Sequence, residues 1–285
     1  MKTFLFRENR IRYLDEGEGI PVIFLHNGGN DHALWEYQVP LFERTHRVVA
    51  PDLPGYGTSD RPRINYSLYY YTDFIEAFIE HLGAHRPVLV GNCIGSAMSL
   101  QYALEYPEKV RALVLFNLAT ENTLRHGIFG FMYGMMEKSP RIRNVFSQVS
   151  EIEGFSRMVR MVGFRVLYGK TGDPDPLFGK HIEELYGHPD QMKVLYNLLS
   201  NFASFRKLDG VAKPDGFPPC CMIWGSQNHV LSAEEGDAFN RAFGPDDSYA
   251  LQGCGHMVMR EKHEEVNRII TDFLFRNGAF FRGAK

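Results

Sequence analysis

Short, largely unbroken apolar runs recur along the first 120 residues: Pro21-Val-Ile-Phe-Leu25, His46-Arg-Val-Val-Ala50, Pro87-Val-Leu-Val90 and Val110 to Phe116. A strand with one wet face alternates polar and apolar residues, whereas an unbroken apolar run must be covered on both faces. Such strands belong in a parallel sheet flanked by helices, and helical patterns lie between them. Residues 70–83 place Phe74, Ile75, Phe78, Ile79 and Leu82 at helical spacing before a glycine stop. Ser96 to Tyr106 reads as a second helix, ended by Pro107. Ahead of these, residues 3–7 and 10–14 read as a hairpin turned at Glu8-Asn9.

From residue 121 to about 213 no convincing strand occurs. The text there is rich in Met and Phe, broken by Gly and Pro, and reads as several short helices. Strands resume at Cys220–Trp224 and Ser248–Leu251, and a final amphipathic helix runs from His263 to Arg276. The expected fold class is α/β: a doubly wound, mostly parallel sheet with an inserted helical cap. Residues 1–120 and 214–285 would form the core, and 121–213 the cap. With 285 residues, 23% charged and a net charge of −3, nothing points to nucleic acid or an anionic membrane. Four cysteines are too few for a disulfide framework and lack the spacing of a zinc site. No run is long enough to span a bilayer, and no signal peptide is evident, so the expected location is cytoplasmic.

The chemistry concentrates at Gly91-Asn-Cys93-Ile-Gly95, between a buried strand and a helix. This is a nucleophile elbow with cysteine where serine is commoner. Gly91 and Gly95 would remove side chains that collide with the nucleophile in a strained turn. The free N–H groups and dipole of the following helix would favour a thiolate. The competing reading is Cys93 as a small buried hydrophobe.

Further motifs in the same order make the chain resemble the capped α/β-hydrolases, a group of esterases, C–C bond hydrolases, dehalogenases and epoxide hydrolases. Leu25-His26-Asn27-Gly28-Gly29, with Trp35 nine residues after His26, is similar to the family's oxyanion loop. Pro51-Asp52-Leu-Pro-Gly55-Tyr-Gly57-Thr-Ser59 resembles its Asp-x-x-Gly-x-Gly-x-Ser segment. The resemblance implies an oxyanion hole made by the N–H groups of Ile94 and Gly28, with His26 serving loop packing. His256, after Leu251-Gln-Gly-Cys-Gly255, takes the place of the catalytic base. The acid is missing. The family's Trp-Gly-x-x-Asp run is here Trp224-Gly-Ser-Gln-Asn228, and the alternative acid position falls on Asn117. Either an acid comes from elsewhere, with Glu121 nearest in sequence, or none is required. A thiol ionises more readily than a hydroxyl, so Cys93 and His256 can rest as thiolate and imidazolium with Asn228 orienting the ring.

These residues imply a thiol enzyme forming an acyl-enzyme from an ester or thioester, free or borne on a carrier, with a hydrophobic acyl or aromatic group. Water as acceptor makes it a hydrolase; another acceptor makes it an acyltransferase. A carboxylate nucleophile is absent at position 93, which argues against dehalogenase or epoxide hydrolase chemistry. No cofactor or metal is implied. Asn27, Trp35, Phe131 and Met135 are candidate substrate contacts, with Met158, Met161, Phe164, Leu167, Leu195, Leu198, Leu199 and Phe202 supplying further apolar surface. Two other readings stay open: a non-catalytic ligand-binding protein with a decayed triad, and a carbon–carbon bond enzyme using His256 without a covalent step.

Overall fold

The computed structural model describes residues 1–149, 166–170, 172 and 176–280. Eight strands form one sheet: β1 Lys2–Phe6, β2 Asn9–Glu16, β3 Pro21–Leu25, β4 Arg47–Pro51, β5 Val88–Asn92, β6 Ala112–Phe116, β7 Cys220–Gly225 and β8 Asp247–Leu251. Their order is β1-β2-β4-β3-β5-β6-β7-β8. The first two pairings are antiparallel and the rest parallel. The fold is therefore the doubly wound, mostly parallel α/β sheet that the apolar runs predict.

The strands are apolar throughout because their two faces feed two cores. Ile23, Leu25, Leu89, Leu113, Leu115, Cys220 and Met222 point into one core. Val22, Phe24, Val88, Val90, Val114, Phe116, Cys221 and Ile223 point into the other. The adjacent Cys220 and Cys221 thus pack on opposite faces, both buried as free thiols. Helices α1 (Leu68–His81) and α2 (Ile94–Glu105) cover the first face. Ser67 caps α1 by accepting from Tyr70 N–H. The hairpin differs from expectation by one residue: Phe6 pairs with Asn9, and the turn is Arg7-Glu8, both at positive φ. A two-residue loop matching the sheet twist requires that conformation at both central positions.

Among the described residues, the stretch 121–213 is helical or irregular. It holds α3 (Glu121–Arg125), α4 (Gly130–Lys138), α5 (Pro140–Val149), α6 (Pro176–Gly187) and α7 (Pro189–Ser200). Met158, Met161 and Phe164 lie outside the described residues. After β7 come α8 (Ala233–Phe243) and α9 (His263–Arg276), the latter burying Val266, Ile269, Ile270, Phe273 and Leu274 on the second face. The chain steps from β3 to β4 on one side and returns to β5 on the other, so the sheet order reverses between β3 and β5. Ligand crevices of open α/β sheets form at that point, beyond the carboxyl ends of the strands.

Candidate active site

Loops from the carboxyl ends of β3, β5, β6, β7 and β8 bring together His26–Asn30, Cys93, Asn117, Asn228 and His256. Cys93 sits between β5 and α2 with φ 56° and ψ −111°. A non-glycine residue held there costs about 1–3 kcal/mol and persists only where its surroundings enforce it. The glycines explain the enforcement, though not through the nucleophile itself. A Cβ on Gly91 would lie 2.3 Å from the Gly95 carbonyl carbon, and one on Gly95 would lie 2.1 Å from the Leu25 carbonyl oxygen. They let α2 press against β5 and β3, and the turn tightens as a result.

The backbone N–H groups of Ile94 and Gly28 lie beside the Cys93 sulfur, close enough to favour its thiolate. They are the two groups named for an oxyanion hole, and both face one point. Burial pushes the thiol up to about 12, more than those two N–H groups lower it. His256 is almost fully buried, and burial holds it down at about 3. Both groups therefore rest neutral, and the expected thiolate–imidazolium pair gives way to thiol and imidazole, because desolvation outweighs the helix N-terminus. No hydrogen bond joins the thiol to the ring in this arrangement; the sulfur faces the two N–H groups instead.

Asn228 does meet the ring of His256: Nδ1 lies 3.2 Å from its Oδ1. The same oxygen accepts from Val230 N–H at 3.0 Å and Leu231 N–H at 3.2 Å. Those two donors fix which side-chain atom is the oxygen, so Nδ1 carries the proton and Nε2 keeps the free lone pair. Asn228 Nδ2 is buried without a partner among the described residues. Asn117, at φ 44°, does not reach the ring. Its Nδ2 donates to the His256 carbonyl at 3.0 Å and to Asn92 Oδ1 at 3.1 Å. Glu121 is engaged elsewhere, with Arg206, Arg125 and the Tyr133 hydroxyl. Arg206 above all holds its carboxyl down at about 2.

Three expected substrate contacts are placed differently. Asn27 is buried, its Oδ1 accepting from Asn30 and Asn92 and its Nδ2 donating to the Gly28 carbonyl. It fastens the loop from beneath rather than facing a ligand. Trp35 is wholly buried on the second face, its ring 5.1 Å from that of Phe24 and 5.9 Å from that of Phe116. Phe131 on α4 is 79% exposed to solvent, and Met135 is half-buried. The short apolar helix offered no pattern to tell an inward from an outward face. His26 serves the loop, as expected: Nδ1 donates to the Asn27 carbonyl at 2.7 Å and Nε2 accepts from Leu53 N–H at 2.8 Å.

Leu195 and Leu198 belong to the apolar surface read in the insertion, whereas Tyr56, Tyr186 and Gln191 carried no sequence signal. Leu195 and Leu198 of α7 and the Tyr56 hydroxyl close over Gly28, where an added Cβ would meet them at 3.2–3.4 Å. The Tyr186 hydroxyl of α6 lies over Gly29, 2.7 Å from where its Cβ would be. Gln191 Nε2 donates to the Gly29 carbonyl at 3.0 Å. Asp31, His32 and Asp52 have ligand atoms within 4.8 Å of one another, but their valences are committed. Asp52 Oδ1 accepts from His32 N–H and Nδ1, and Oδ2 from Thr58. Burial would raise this carboxyl, yet those bonds hold it at about 2.

Comparison with known proteins agrees with the architecture. Residues 20–262 match the family described as the alpha/beta hydrolase fold. Curated relatives include a 2-hydroxy-6-oxo-2,4-heptadienoate hydrolase of Pseudomonas putida, 26% identical over 91% of this chain and 91% of that protein. A 2-hydroxy-6-oxo-6-phenylhexa-2,4-dienoate hydrolase of Comamonas testosteroni is 25% identical over 93% of this chain and 91% of that one. Among solved structures, an alpha/beta hydrolase fold protein from Burkholderia ambifaria superposes with a TM-score of 0.80 at 19% identity, covering 95% of this chain and 97% of that one. A meta-cleavage product hydrolase from Pseudomonas fluorescens superposes with a TM-score of 0.71 at 21% identity, covering 97% and 98%.

Proposed function

Because the chain belongs to the α/β-hydrolase fold family, we propose that it is a thiol-dependent hydrolase that forms an acyl-enzyme on Cys93 from an ester or thioester with an apolar acyl group. The observation that carries this reading is the convergence of the Ile94 and Gly28 N–H groups on the sulfur of a residue held at φ 56°. Leu195 and Leu198, reaching over Gly28, support the apolar acyl group. Residues 121–213 act as the cap over this site, and Met135 and Tyr186 are its candidate contacts to substrate.

The resting geometry suggests the order of events. A substrate carbonyl oxygen takes the two N–H groups from the sulfur, and the freed thiol turns toward His256. Its proton passes to Nε2 as the sulfur attacks the carbonyl carbon, so no buried thiolate accumulates beforehand. The oxyanion is held by Ile94 and Gly28 N–H; removing one such donor lowers the rate about 10²–10³-fold. Collapse expels the leaving group, which takes the proton from His256. Water then attacks the acyl carbonyl with His256 again as base, releasing the acid and restoring the thiol. Asn228 keeps Nδ1 protonated throughout and stabilises the transient imidazolium as a neutral acceptor.

Intact-protein mass spectrometry after incubation with a panel of activated esters and acyl thioesters tests this reading. An acyl increment on Cys93, lost in Cys93→Ala together with turnover, is expected. Full turnover by Cys93→Ala would overturn it and favour the second reading, a carbon–carbon bond hydrolase. That alternative draws its support from the dienoate hydrolases among the relatives.

A further inference from the structure

The loop that carries His256 is held by a stretch of chain that belongs, by sequence, to the helical insertion. Leu167 and Tyr168 are buried in the second core beside Cys254, Met257 and Val258. The Leu167 carbonyl accepts from His256 N–H at 2.7 Å and from Met257 N–H at 3.2 Å. Glu261 then bridges the two segments: Oε1 accepts from Gly255 N–H at 2.7 Å and Oε2 from Gly169 N–H at 2.9 Å. One residue further on, Lys170 N–H donates to Gln227 Oε1 at 2.9 Å, and Gln227 N–H donates to the Cys254 carbonyl at 2.8 Å. The same four residues thus hold the base and the loop that presents Asn228. The approach is close enough to exclude side chains. A Cβ on Gly169 would lie 2.1 Å from the Gly253 carbonyl oxygen, and one on Gly255 would lie 2.5 Å from Gly169 N.

We propose that Glu261 is a positioning residue and that Leu167–Lys170 is a strap which together fix His256 and Asn228 in register with Cys93. The carboxylate makes two charge-assisted bonds to backbone N–H groups, the geometry in which a fixed anion orders a loop most strongly. An amide in its place offers one oxygen and turns an NH2 group against the second N–H, leaving a buried donor without an acceptor. The ring would then drift relative to Asn228 Oδ1 and to the sulfur. The functional part of this proposal rests on the assignment of His256 as base.

Glu261→Gln is the test, with Gly169→Ala as a second variant. Three measurements are made: kcat and KM on an activated aryl ester, the folded fraction by thermal unfolding, and the His256 ring nitrogens by long-range ¹⁵N NMR. The parent protein should show the Nδ1-protonated tautomer. Glu261→Gln should stay folded, lose roughly 10–100-fold in kcat with KM changed less than about threefold, and show a mixture of tautomers. Gly169→Ala should act in the same direction. A kcat loss that only follows the unfolded fraction, or His256 spectra identical to the parent in both variants, overturns the proposal. The NMR measurement needs no turnover, so it stands even if Cys93→Ala shows the acyl-enzyme reading to be wrong.

Discussion

Replacing Asn228 by Asp should convert the neutral orienting group into a charged one without moving it. Asn228 Oδ1 already accepts from Val230, Leu231 and His256 Nδ1, while Nδ2 is buried with no partner among the described residues. The aspartate keeps the occupied oxygen and exchanges the orphaned amide nitrogen for a second oxygen. A carboxylate within hydrogen-bond range raises the pKa of its partner by about 1–3. At 1.36 kcal/mol per pKa unit, that is roughly 1.4–4 kcal/mol of added imidazolium stability. Starting from about 3, His256 in Asn228→Asp should titrate near pH 4–6. NMR titration of the ring reads this directly. With His256 as the base proposed above, the acid limb of kcat/KM on an activated ester should move to higher pH by the same amount. A His256 titration that moves by less than about half a pH unit would refute the assignment of Asn228 as the ring's partner.

Three further outcomes follow from the same geometry. Gly95→Ala and Gly91→Ala place a Cβ 2.1 Å and 2.3 Å from fixed backbone, so each should lose upward of about 3 kcal/mol in urea unfolding; melting within a degree of the parent would contradict the packing. With the thiol raised to about 12, only roughly one molecule in 10⁵ carries a thiolate at pH 7. Iodoacetamide labelling of Cys93, followed by peptide mass analysis, should therefore be slow at neutral pH and still be rising at pH 10; a plateau below pH 7 would restore the ion pair. His256 takes a proton near 6.5 when unfolded but only at about 3 when folded. Its contribution to stability is full above pH 6.5 and declines as pH falls toward 3, by up to about 1.4 kcal/mol per pH unit. Urea midpoints of His256→Gln measured across that range should fall less steeply than those of the parent; parallel slopes would refute the depressed pKa.

The parallel sheet was legible because its strands are buried on both sides, and an unbroken apolar run has few other homes. The tight turn at Cys93 and the place of His256 in the loop after β8 follow from chain order and from glycines with little freedom of choice. Trp35 and Phe131 were misjudged for the opposite reason. Nothing in an aromatic residue's identity says whether its loop points toward the crevice, under the sheet, or into water. The protonation state of Cys93 also escaped sequence reasoning. A helix N-terminus is visible in sequence, while the burial of Cys93 that overrides it exists only in the folded chain. Glu261 reads as one more acidic residue in a helical pattern until Gly169, 92 positions earlier, is seen to donate to it.

Asn27, Asn30, Asn92 and Asn117 join the oxyanion loop, the elbow and the end of β6 through amide hydrogen bonds alone. Amides neither gain nor lose protons across the range in which proteins stay folded. The frame around the reacting atoms therefore keeps one shape from mildly acid to mildly alkaline solution, much as a bench stays level while the instruments on it are adjusted. Salt should disturb it little, since no pair within it is charged. A dependence of turnover on pH can then be read as the response of the thiol, the imidazole, the Glu261 carboxylate or the substrate, with the amide frame subtracted.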